Sequence, residues 1–248
     1  MEIKDKVIII TGAGAGIGAA TALLFAKRGA KVCCNSISNS GLKICKKIKN
    51  EGGEAVFYRG DVSKIEDSEN IIKKTVKKYG KIDILFNNAG IVIPGAADNT
   101  HIEDWERTLA VNVTSIFLLT KFAIPALRET KGCIINTSSS VAIKGVKDRF
   151  AYTASKGAIL SMTKAMAMDY IDAGIRVNCI CPGTVDSPSL RNRLSKFDDP
   201  VAARKNFISR QPLGRFGTPE EIAKGVLFLV SSSFCTGTSL FLDGGMTI

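Results

Sequence analysis

The sequence has little of what zinc-binding, disulfide-rich and membrane proteins require. It contains one histidine, His101, and seven cysteines, an odd number without a CxxC pair, so neither a metal site nor a disulfide framework is expected. No apolar run reaches the roughly 18–20 residues that a membrane helix needs. Met1–Lys6 carries charges and leads into only four apolar residues, Val7–Ile10, which are too few for a signal-peptide core. We therefore expect a cytoplasmic protein without a membrane partner.

Acidic residues are also in short supply. The chain has 34 Lys and Arg against 23 Asp and Glu, which gives a formal net charge of +11. Such a balance raises the question of nucleic-acid binding, but many lysines, such as Lys43, Lys46 and Lys47, recur at the spacing of a solvated helix face. No nucleic-acid motif accompanies them, so no nucleic-acid partner is expected. The positive charge suits an anionic substrate or a phosphorylated cofactor.

Short apolar runs alternate with amphipathic stretches along all 248 residues. The apolar runs predict seven strands: Val7–Ile10, Val32–Cys34, Ala55–Tyr58, Ile82–Phe86, Cys133–Asn136, Val177–Ile180 and Ser239–Leu242. Between them the pattern predicts helices that include Ala19–Arg28, Ser68–Tyr79, Trp105–Leu127, Ser155–Asp172 and Pro219–Val230. This alternation predicts an α/β fold with a doubly wound parallel sheet and helices on both faces.

No repeat or break in composition divides the chain, so we predict one domain over residues 1–248. Residues 182–216 hold four of the seven prolines and many arginines, and they are predicted to be a long irregular segment. A segment of this kind late in an α/β chain is interpreted as a substrate lid.

A glycine-rich loop follows the first predicted strand. Thr11 is followed by Gly12, and further glycines stand at positions 14, 16 and 18 before a helix begins at Ala19. Glycines here allow a tight turn and close approach to a pyrophosphate, while the helix N-terminus offers free N–H donors. No GK[ST] follows, which excludes a nucleotide-hydrolysing P-loop. The position between strand and helix predicts a dinucleotide-binding loop.

The order of several motifs resembles the short-chain dehydrogenase/reductase superfamily. The motifs are Thr-Gly-x-x-x-Gly-x-Gly at 11–18, Asn-Asn-Ala-Gly at 87–90, Asn112, Ser139, Tyr152-x-x-x-Lys156, and Pro182-Gly183. The resemblance covers nearly the whole chain and implies a single Rossmann domain with a seven-stranded parallel sheet, assembled as a homotetramer. It also implies a set of residues that bind NAD or NADP: Gly12, Ala15, Gly16, Ile17, Gly18, Ser36, Asp61, Val62, Asn88, Ala89, Gly90, Tyr152, Lys156, Pro182, Gly183, Val185 and Ser187.

The candidate catalytic residues are Asn112, Ser139, Tyr152 and Lys156. Tyr152 and Lys156 are four positions apart, so both side chains share one face of a helix. A nearby ammonium group and a positive oxidised nicotinamide are expected to lower the pKa of the phenol, which makes Tyr152 a general base for alcohol oxidation. By resemblance, Ser139 binds the substrate oxygen, Lys156 holds the nicotinamide ribose, and Asn112 bends its helix and holds a proton-relaying water.

The end of the second strand bears on the choice of cofactor. An acidic residue there would favour NAD and repel the 2′-phosphate of NADP, but the aligned position is Ser36, followed by Ser38 and Asn39. The arginine that NADP-using relatives often carry is absent, and Ala15 stands where they often carry a base. We expect NADP to be preferred, with NAD as the alternative.

Arginines in and before the predicted lid indicate the substrate. The segment resembles dehydrogenases of small hydroxy acids, namely the 2-keto-3-deoxy-L-rhamnonate, L-fuconate and cytosolic (R)-3-hydroxybutyrate type. In that branch three arginines surround a substrate carboxylate, and the matching positions are Arg149, Arg193 and Arg210, alongside Ser139 and Tyr152. The arginines at 191, 204 and 215 are expected to be structural. We expect a small anionic substrate, first a 2-keto-3-deoxy sugar acid and second 3-hydroxybutyrate. Other hypotheses are a neutral sugar or polyol dehydrogenase, a 3-oxoacyl carrier-protein reductase, and a dinucleotide-sensing binding module.

Overall fold

The sheet contains seven parallel strands, which confirms the predicted fold class. The structure is a computed structural model that describes all residues from Met1 to Ile248. The strands are β1 (Val7–Ile10), β2 (Lys31–Ser36), β3 (Glu54–Arg59), β4 (Ile84–Asn87), β5 (Cys133–Thr137), β6 (Arg176–Pro182) and β7 (Ser239–Leu242). Their order in the sheet is β3-β2-β1-β4-β5-β6-β7. All seven predicted strands are present, with ends that differ by one or two residues from the apolar runs.

The central strands are buried on both faces because their side chains alternate between two apolar layers. Ile8 and Ile10 join one core cluster, whereas Ile9 between them joins the other. Every residue of β1, β4 and β5 is buried. This arrangement explains why these strands are continuous apolar runs rather than alternating ones.

Helices cover both faces of the sheet. One layer contains α1 (Gly16–Lys27), α2 (Ser40–Asn50) and α9 (Pro219–Ser231), and α1 packs on both others. The opposite layer contains α3 (Ile65–Tyr79), α4 (Ile102–Leu109), α5 (Ser115–Thr130) and α6 (Phe150–Asp169). The helix predicted from Ser155 in fact begins at Phe150. The start of α6 is fixed earlier because Arg149 pairs with Gly95 in an isolated parallel bridge and the Phe150 ring stacks on Trp105 at 5.5 Å.

The predicted single helix Trp105–Leu127 is longer and interrupted. A five-residue π-helical turn, Ala110–Thr114, joins α4 to α5. The combined segment Ile102–Thr130 has 29 residues and a mean hydropathy of 1.6 in its most apolar window, enough by length and composition to cross a membrane. The apolar side of α5, including Leu119 and Leu127, belongs to the buried core cluster beneath the sheet. Length and composition alone do not distinguish a buried core helix such as this one from a helix that crosses a membrane.

The prediction that residues 182–216 are irregular is wrong. The segment contains two short helices, α7 (Pro188–Leu194) and α8 (Pro200–Ile208). Each starts with a proline at its first turn, where a missing N–H costs nothing, and each is capped by a side chain. Four buried residues form a small core between the helices: Leu190, Leu194, Phe207 and Phe216.

Candidate active site

The candidate site lies where the strand order reverses, at the carboxyl ends of β1 and β4 to β6. The loops after these strands carry the predicted motifs, so the sheet brings together residues that are distant in the chain. Two cavities open there. The first, which we call the loop cavity, measures about 240 Å³, and the second, the catalytic cavity, about 170 Å³.

The glycine loop has a backbone that only glycine adopts without strain. Gly12 has φ of 64° and Gly16 has φ of 53°, both in the left-handed region. A Cβ on Gly18 would collide with the carbonyl oxygen of Gly12 and lie 2.7 Å from Asn88 Nδ2. Helix α1 then begins without an acidic residue in its first turn and without a side-chain cap. Its free amides and positive dipole end fit the pyrophosphate of a dinucleotide.

Thr11 and Asn88 join the glycine loop to the end of β4. The Thr11 hydroxyl accepts hydrogen bonds from the backbone N–H groups of Asn88 (2.9 Å) and Ala89 (3.0 Å). In return, Asn88 Nδ2 donates to the carbonyl of Thr11 at 2.9 Å. These reciprocal bonds fix the distance between the two loops that flank the crevice.

Thirteen of the seventeen predicted cofactor residues line one of the two cavities, and Gly16, Gly18, Asn88 and Lys156 line neither. The loop cavity is lined by Gly12, Ala15, Ser36, Asp61, Val62, Ala89 and Gly90. The catalytic cavity is lined by Ile17, Tyr152, Pro182, Gly183, Val185 and Ser187. The first set suits an adenosine and the second a nicotinamide, so the residues present fit an NAD(P) molecule lying across the switch point. Such a cofactor, when bound, exchanges a hydride with the substrate carbon.

Asp61 is held in place by three hydrogen bonds from two neighbouring residues. Its Oδ1 accepts hydrogen bonds from the backbone N–H and the hydroxyl of Ser63, and its Oδ2 pairs with Arg107 Nη2 at 3.1 Å. Burial raises the pKa of the carboxyl, but the bonds from Ser63 and Arg107 outweigh it, so the pKa lies below its usual range. The carboxylate is therefore ionised and fixed at the wall of the loop cavity.

The hydroxyl of Ser36 forms hydrogen bonds with the backbone of neighbouring residues. It donates to the carbonyl of Ser38 at 2.6 Å and accepts from the N–H of Gly41 at 2.9 Å. The neighbouring strand places Arg59 in register with Ser36, and Arg59 Nε donates to the carbonyl of Ile37 at 2.9 Å. Sequence reasoning missed Arg59, because the cross-strand register that brings it beside Ser36 is not visible in the linear sequence.

Tyr152 and Ser139 line the catalytic cavity together. Of the three consecutive serines, Ser138 donates to the carbonyl of Lys156 at 2.7 Å, and Ser140 donates to Pro182 O and Asp243 Oδ2. Ser139 makes two long contacts: its hydroxyl donates to Pro182 O at 3.5 Å and accepts from the N–H of Val141 at 3.4 Å. Of the three serine hydroxyls, that of Ser139 therefore has the longest hydrogen bonds to the rest of the protein.

The expectation of a lowered phenol pKa is wrong for the protein alone. Partial burial raises the pKa of Tyr152, and the Ser139 hydroxyl, Arg193 and Arg149 only partly oppose that rise. Lys156 Nζ lies 5.5 Å from the centroid of the Tyr152 ring and donates to the carbonyl of Thr137 at 2.7 Å. Burial lowers the pKa of this lysine to about 8. The charges that favour the phenolate thus come from arginines rather than from the lysine.

Asn112 lies in the π-helical turn, and its side-chain amide forms three hydrogen bonds within the protein. Its Oδ1 accepts from the N–H of Ile91 at 2.8 Å, and its Nδ2 donates to Ile91 O and to Ser155 Oγ, both at 3.0 Å. π-Helical turns often occur at functional sites. Through these bonds Asn112 connects the segment after Gly90 to the helix that carries Tyr152 and Lys156.

The three predicted arginines all line the catalytic cavity. None forms an ion pair. Arg149 Nη1 donates to the carbonyl of Asp148, and Arg210 Nη2 donates to Asn206 Oδ1. Arg193 Nε is buried without any hydrogen-bond partner. Burial lowers the pKa of all three guanidinium groups. Repulsion from neighbouring arginines lowers the pKa of Arg193 and Arg210 further, whereas the carboxylate of Asp148 opposes the shift at Arg149. The cavity therefore concentrates uncompensated positive charge beside Tyr152.

The other arginines of the lid have partners of their own. Arg191 pairs with Asp186 at 2.9 Å, Arg215 pairs with Glu221 at 2.7 Å, and Arg204 lies 4.7 Å from the centroid of the Phe216 ring. These contacts lie within residues 182–216 and their junction with α9. Arg191 and Arg215 thus have carboxylate partners, which the three arginines of the catalytic cavity lack.

Four apolar residues complete the catalytic cavity: Val92, Val141, Val146 and Met246. Sequence reasoning did not identify them. Apolar residues carry no motif, and Met246 reaches the cavity from the far end of the chain.

Comparison with known proteins identifies the family. A family model described as enoyl-(acyl carrier protein) reductase matches residues 12–247. The chain belongs to the short-chain dehydrogenase/reductase superfamily and is an NAD(P)-dependent oxidoreductase of alcohol or keto groups.

Individual relatives match over the full length. An uncharacterized oxidoreductase of Thermotoga maritima is 45% identical, with 100% of this chain and 99% of that protein covered. The dehydrogenase/reductase SDR family member 6 of Rattus norvegicus is 40% identical, with 100% and 99% covered. The crystal structure of levodione reductase superposes with a TM-score of 0.94 at 32% identity, with 98% of each chain covered.

Proposed function

We propose that this enzyme interconverts the secondary alcohol of a small hydroxy acid and the corresponding ketone. The observation that carries the proposal is the convergence of Arg149, Arg193 and Arg210 on the cavity of Tyr152, where none of them forms an ion pair. Partly buried charge without an ion-pair partner is costly, and a bound carboxylate relieves it through charge-assisted, bidentate hydrogen bonds. A neutral sugar or polyol would leave the charge in place.

Tyr152 is proposed as the group that exchanges the proton. In the oxidation direction its phenolate accepts the hydroxyl proton of the substrate, and in the reduction direction its phenol returns it. Ser139 would hydrogen-bond the same substrate oxygen and stabilise the charge that develops there. Lys156, buried behind the tyrosine ring, would hold the cofactor ribose, and Asn112 would position the helix that carries both groups.

The lining of the cavity bears on the identity of the acid. The resemblance to the sugar-acid dehydrogenase branch suggests a 2-keto-3-deoxy sugar acid such as 2-keto-3-deoxy-L-rhamnonate. The four apolar residues, Val92, Val141, Val146 and Met246, offer no partner for additional hydroxyls and favour a short alkyl acid of the 3-hydroxybutyrate type. Both acids carry the carboxylate and the secondary alcohol that the proposal requires.

NADP is the proposed preferred cofactor. The position at the end of β2 is Ser36, which does not repel a 2′-phosphate, and the one acidic side chain of the loop cavity, Asp61, is paired with Arg107. Arg59, whose Nε bonds to Ile37 O, leaves its terminal guanidinium nitrogens without a protein partner. It would supply from β3 the positive charge that sequence alignment fails to find at the end of β2.

The test compares an acid with its neutral ester. We expect Arg193→Ala to lower kcat/KM for a hydroxy acid by about 10- to 100-fold, the range for loss of a hydrogen bond to a charged group. The methyl ester of the same acid should change by less than about threefold. Arg191→Ala, two residues away and paired with Asp186, is the matched control and should leave both rates unchanged.

A screen of substrate classes completes the test. It includes a keto-deoxy sugar acid, 3-hydroxybutyrate, neutral sugars and polyols, and a 3-oxoacyl thioester, each assayed with both cofactors. Equal losses for acid and ester in Arg193→Ala, or faster turnover of a neutral sugar or a thioester than of either acid, would overturn the proposal.

A further inference from the structure

The end of the chain folds into a tight turn after β7. Gly244 and Gly245 have φ of 63° and 84°, so two successive residues occupy the left-handed region that disfavours other side chains. Asp243 closes the turn, because its Oδ1 accepts from the N–H of Gly245 at 3.0 Å and its Oδ2 accepts from the hydroxyl of Thr247 at 2.6 Å. We refer to residues 243–247 as the C-terminal turn.

The C-terminal turn is bonded to the catalytic loop. Ser140, which follows Ser139, donates from its hydroxyl to Asp243 Oδ2 at 3.2 Å. Lys144 Nζ donates to the carbonyl oxygen of Met246. Ser140 is the first residue of the short helical turn Ser140–Ala142, and Lys144 lies two residues after that turn. Both residues thus hold the end of the chain.

The same turn is bonded to the lid. The N–H of Leu213 donates to the carbonyl of Gly244 at 3.1 Å. A Cβ on Gly244 would lie 3.3 Å from Gln211 Cβ, and one on Gly245 would lie 3.3 Å from Pro212 Cγ, so the glycines allow close packing against the lid. Gln211 is itself buried and accepts from the N–H of Thr184 at 2.7 Å.

These two sets of contacts direct Met246 into the catalytic cavity. Its side chain is 3% exposed and lines the same cavity as Tyr152, Ser139 and the three arginines. Ile248, two residues further, is 99% exposed, so only the methionine of this tail is committed to the interior. A flexible, unbranched side chain fills such a space without demanding one shape.

We propose that Met246 limits the length of the substrate's carbon chain, and that the C-terminal turn holds it in that position. This inference rests on the proposed function, because the arginines fix one end of the acid and Met246 bounds the space that remains. Met246 contacts the substrate in this proposal, whereas Lys144 and Asp243 act as positioning residues.

The experiment measures kcat/KM for a series of 3-hydroxy acids with four, six and eight carbons. In Met246→Ala the ratio of the six-carbon to the four-carbon acid should rise by about 15-fold, since two more methylenes are buried and each is worth about fourfold. Met246→Leu, which keeps the volume, should keep the parent ratio within about threefold. Met168→Ala, at an exposed methionine of α6, is the matched control and should leave the profile unchanged.

The positioning role has its own readout. Lys144→Met should broaden the chain-length profile in the same direction as Met246→Ala, by about threefold in the same ratio, because the carbonyl of Met246 loses its donor. Far-UV circular dichroism and the thermal unfolding midpoint verify that each variant is folded. If Met246→Ala does not fold, Met246→Val and Met246→Phe replace it, with a longer and a shorter preferred acid expected.

The outcomes separate this inference from the proposed function. An unchanged length profile in folded Met246→Ala, with Arg193→Ala still selective against acids, overturns the assignment of Met246 alone. Absence of turnover with every hydroxy acid in the parent enzyme overturns the proposed function instead.

Discussion

Burial and positive charge act in opposite directions on the phenol of Tyr152. The side chain is partly buried, which raises its pKa, and the guanidinium groups of Arg193 and Arg149 oppose that rise. A cationic oxidised nicotinamide would add to the opposing charge. The balance at this one oxygen atom decides at which pH the enzyme oxidises and at which it reduces.

A first prediction concerns that oxygen. Because the phenolate is the base for oxidation, the oxidation rate should rise with pH as the phenol loses its proton, and the reduction rate should fall over the same range. Tyr152→Phe should lower kcat by about 10²- to 10⁴-fold and abolish both limbs of the profile. Dinucleotide affinity, measured by fluorescence titration, should stay within about threefold of the parent. A variant that keeps its pH-dependent turnover would remove Tyr152 from the proposed role.

Pairing between strands fixes the relative positions of residues that are distant in the sequence. The ladder between β2 and β3 places Ser36 opposite Arg59, and the hydroxyl of Ser36 then caps α2 through the N–H of Gly41. Arg59 is anchored only through its Nε. The strand register, rather than a local motif, thus brings an arginine beside Ser36, which lines the loop cavity.

A second prediction tests this register by binding alone. Arg59→Ala should weaken the affinity for 2′,5′-ADP by about tenfold, as expected for one lost charge-assisted contact, while the affinity for 5′-AMP stays unchanged. Isothermal titration calorimetry measures both ligands without turnover. Arg28→Ala, at an exposed arginine after α1, is the control. Equal affinity of Arg59→Ala and the parent for 2′,5′-ADP would contradict the assignment.

Elements also show why part of the molecule could be predicted and part could not. Strands such as β1 and β4 are apolar on both faces, so the sequence identifies them without tertiary information. Helix α7 has seven residues and α8 has nine, too short for a clear periodic pattern, and the prolines that suggested irregular structure are their first residues.

The same reasoning applies to the site. Residues that belong to a motif, such as Tyr152 and Lys156, could be placed in the site from the sequence. The three arginines could be placed there through the resemblance to hydroxy-acid dehydrogenases. Arg59 could not be placed from the sequence, because strand pairing brings it to its position. Met246 could not be placed either, because a turn at the far end of the chain brings it to the catalytic cavity.

At the scale of the whole molecule, the net charge of +11 is spread over a chain whose site also concentrates positive charge. A positive field raises the local concentration of an anionic substrate and is screened by salt. Members of the superfamily are commonly oligomeric, and a homotetramer, which would multiply this charge, stays a prediction for this chain.

A third prediction follows from this charge. Between low salt and about 0.2 M salt, where the Debye length falls below ~10 Å, kcat/KM for a hydroxy acid should fall by about three- to tenfold. For the methyl ester of the same acid it should change by less than about 1.5-fold. The measurement is a salt titration with both substrates at constant pH. Parallel curves for acid and ester would contradict electrostatic attraction as the cause.

The bond between Ser140 and Asp243 spans 103 residues of sequence, and it lies beside the proposed catalytic serine. A nascent chain on the ribosome can therefore complete the sheet up to β6 while its catalytic loop still lacks this support. Catalytic competence should arise only after residue 247 has left the exit tunnel, so premature termination a few codons upstream would yield a largely folded but poorly active product.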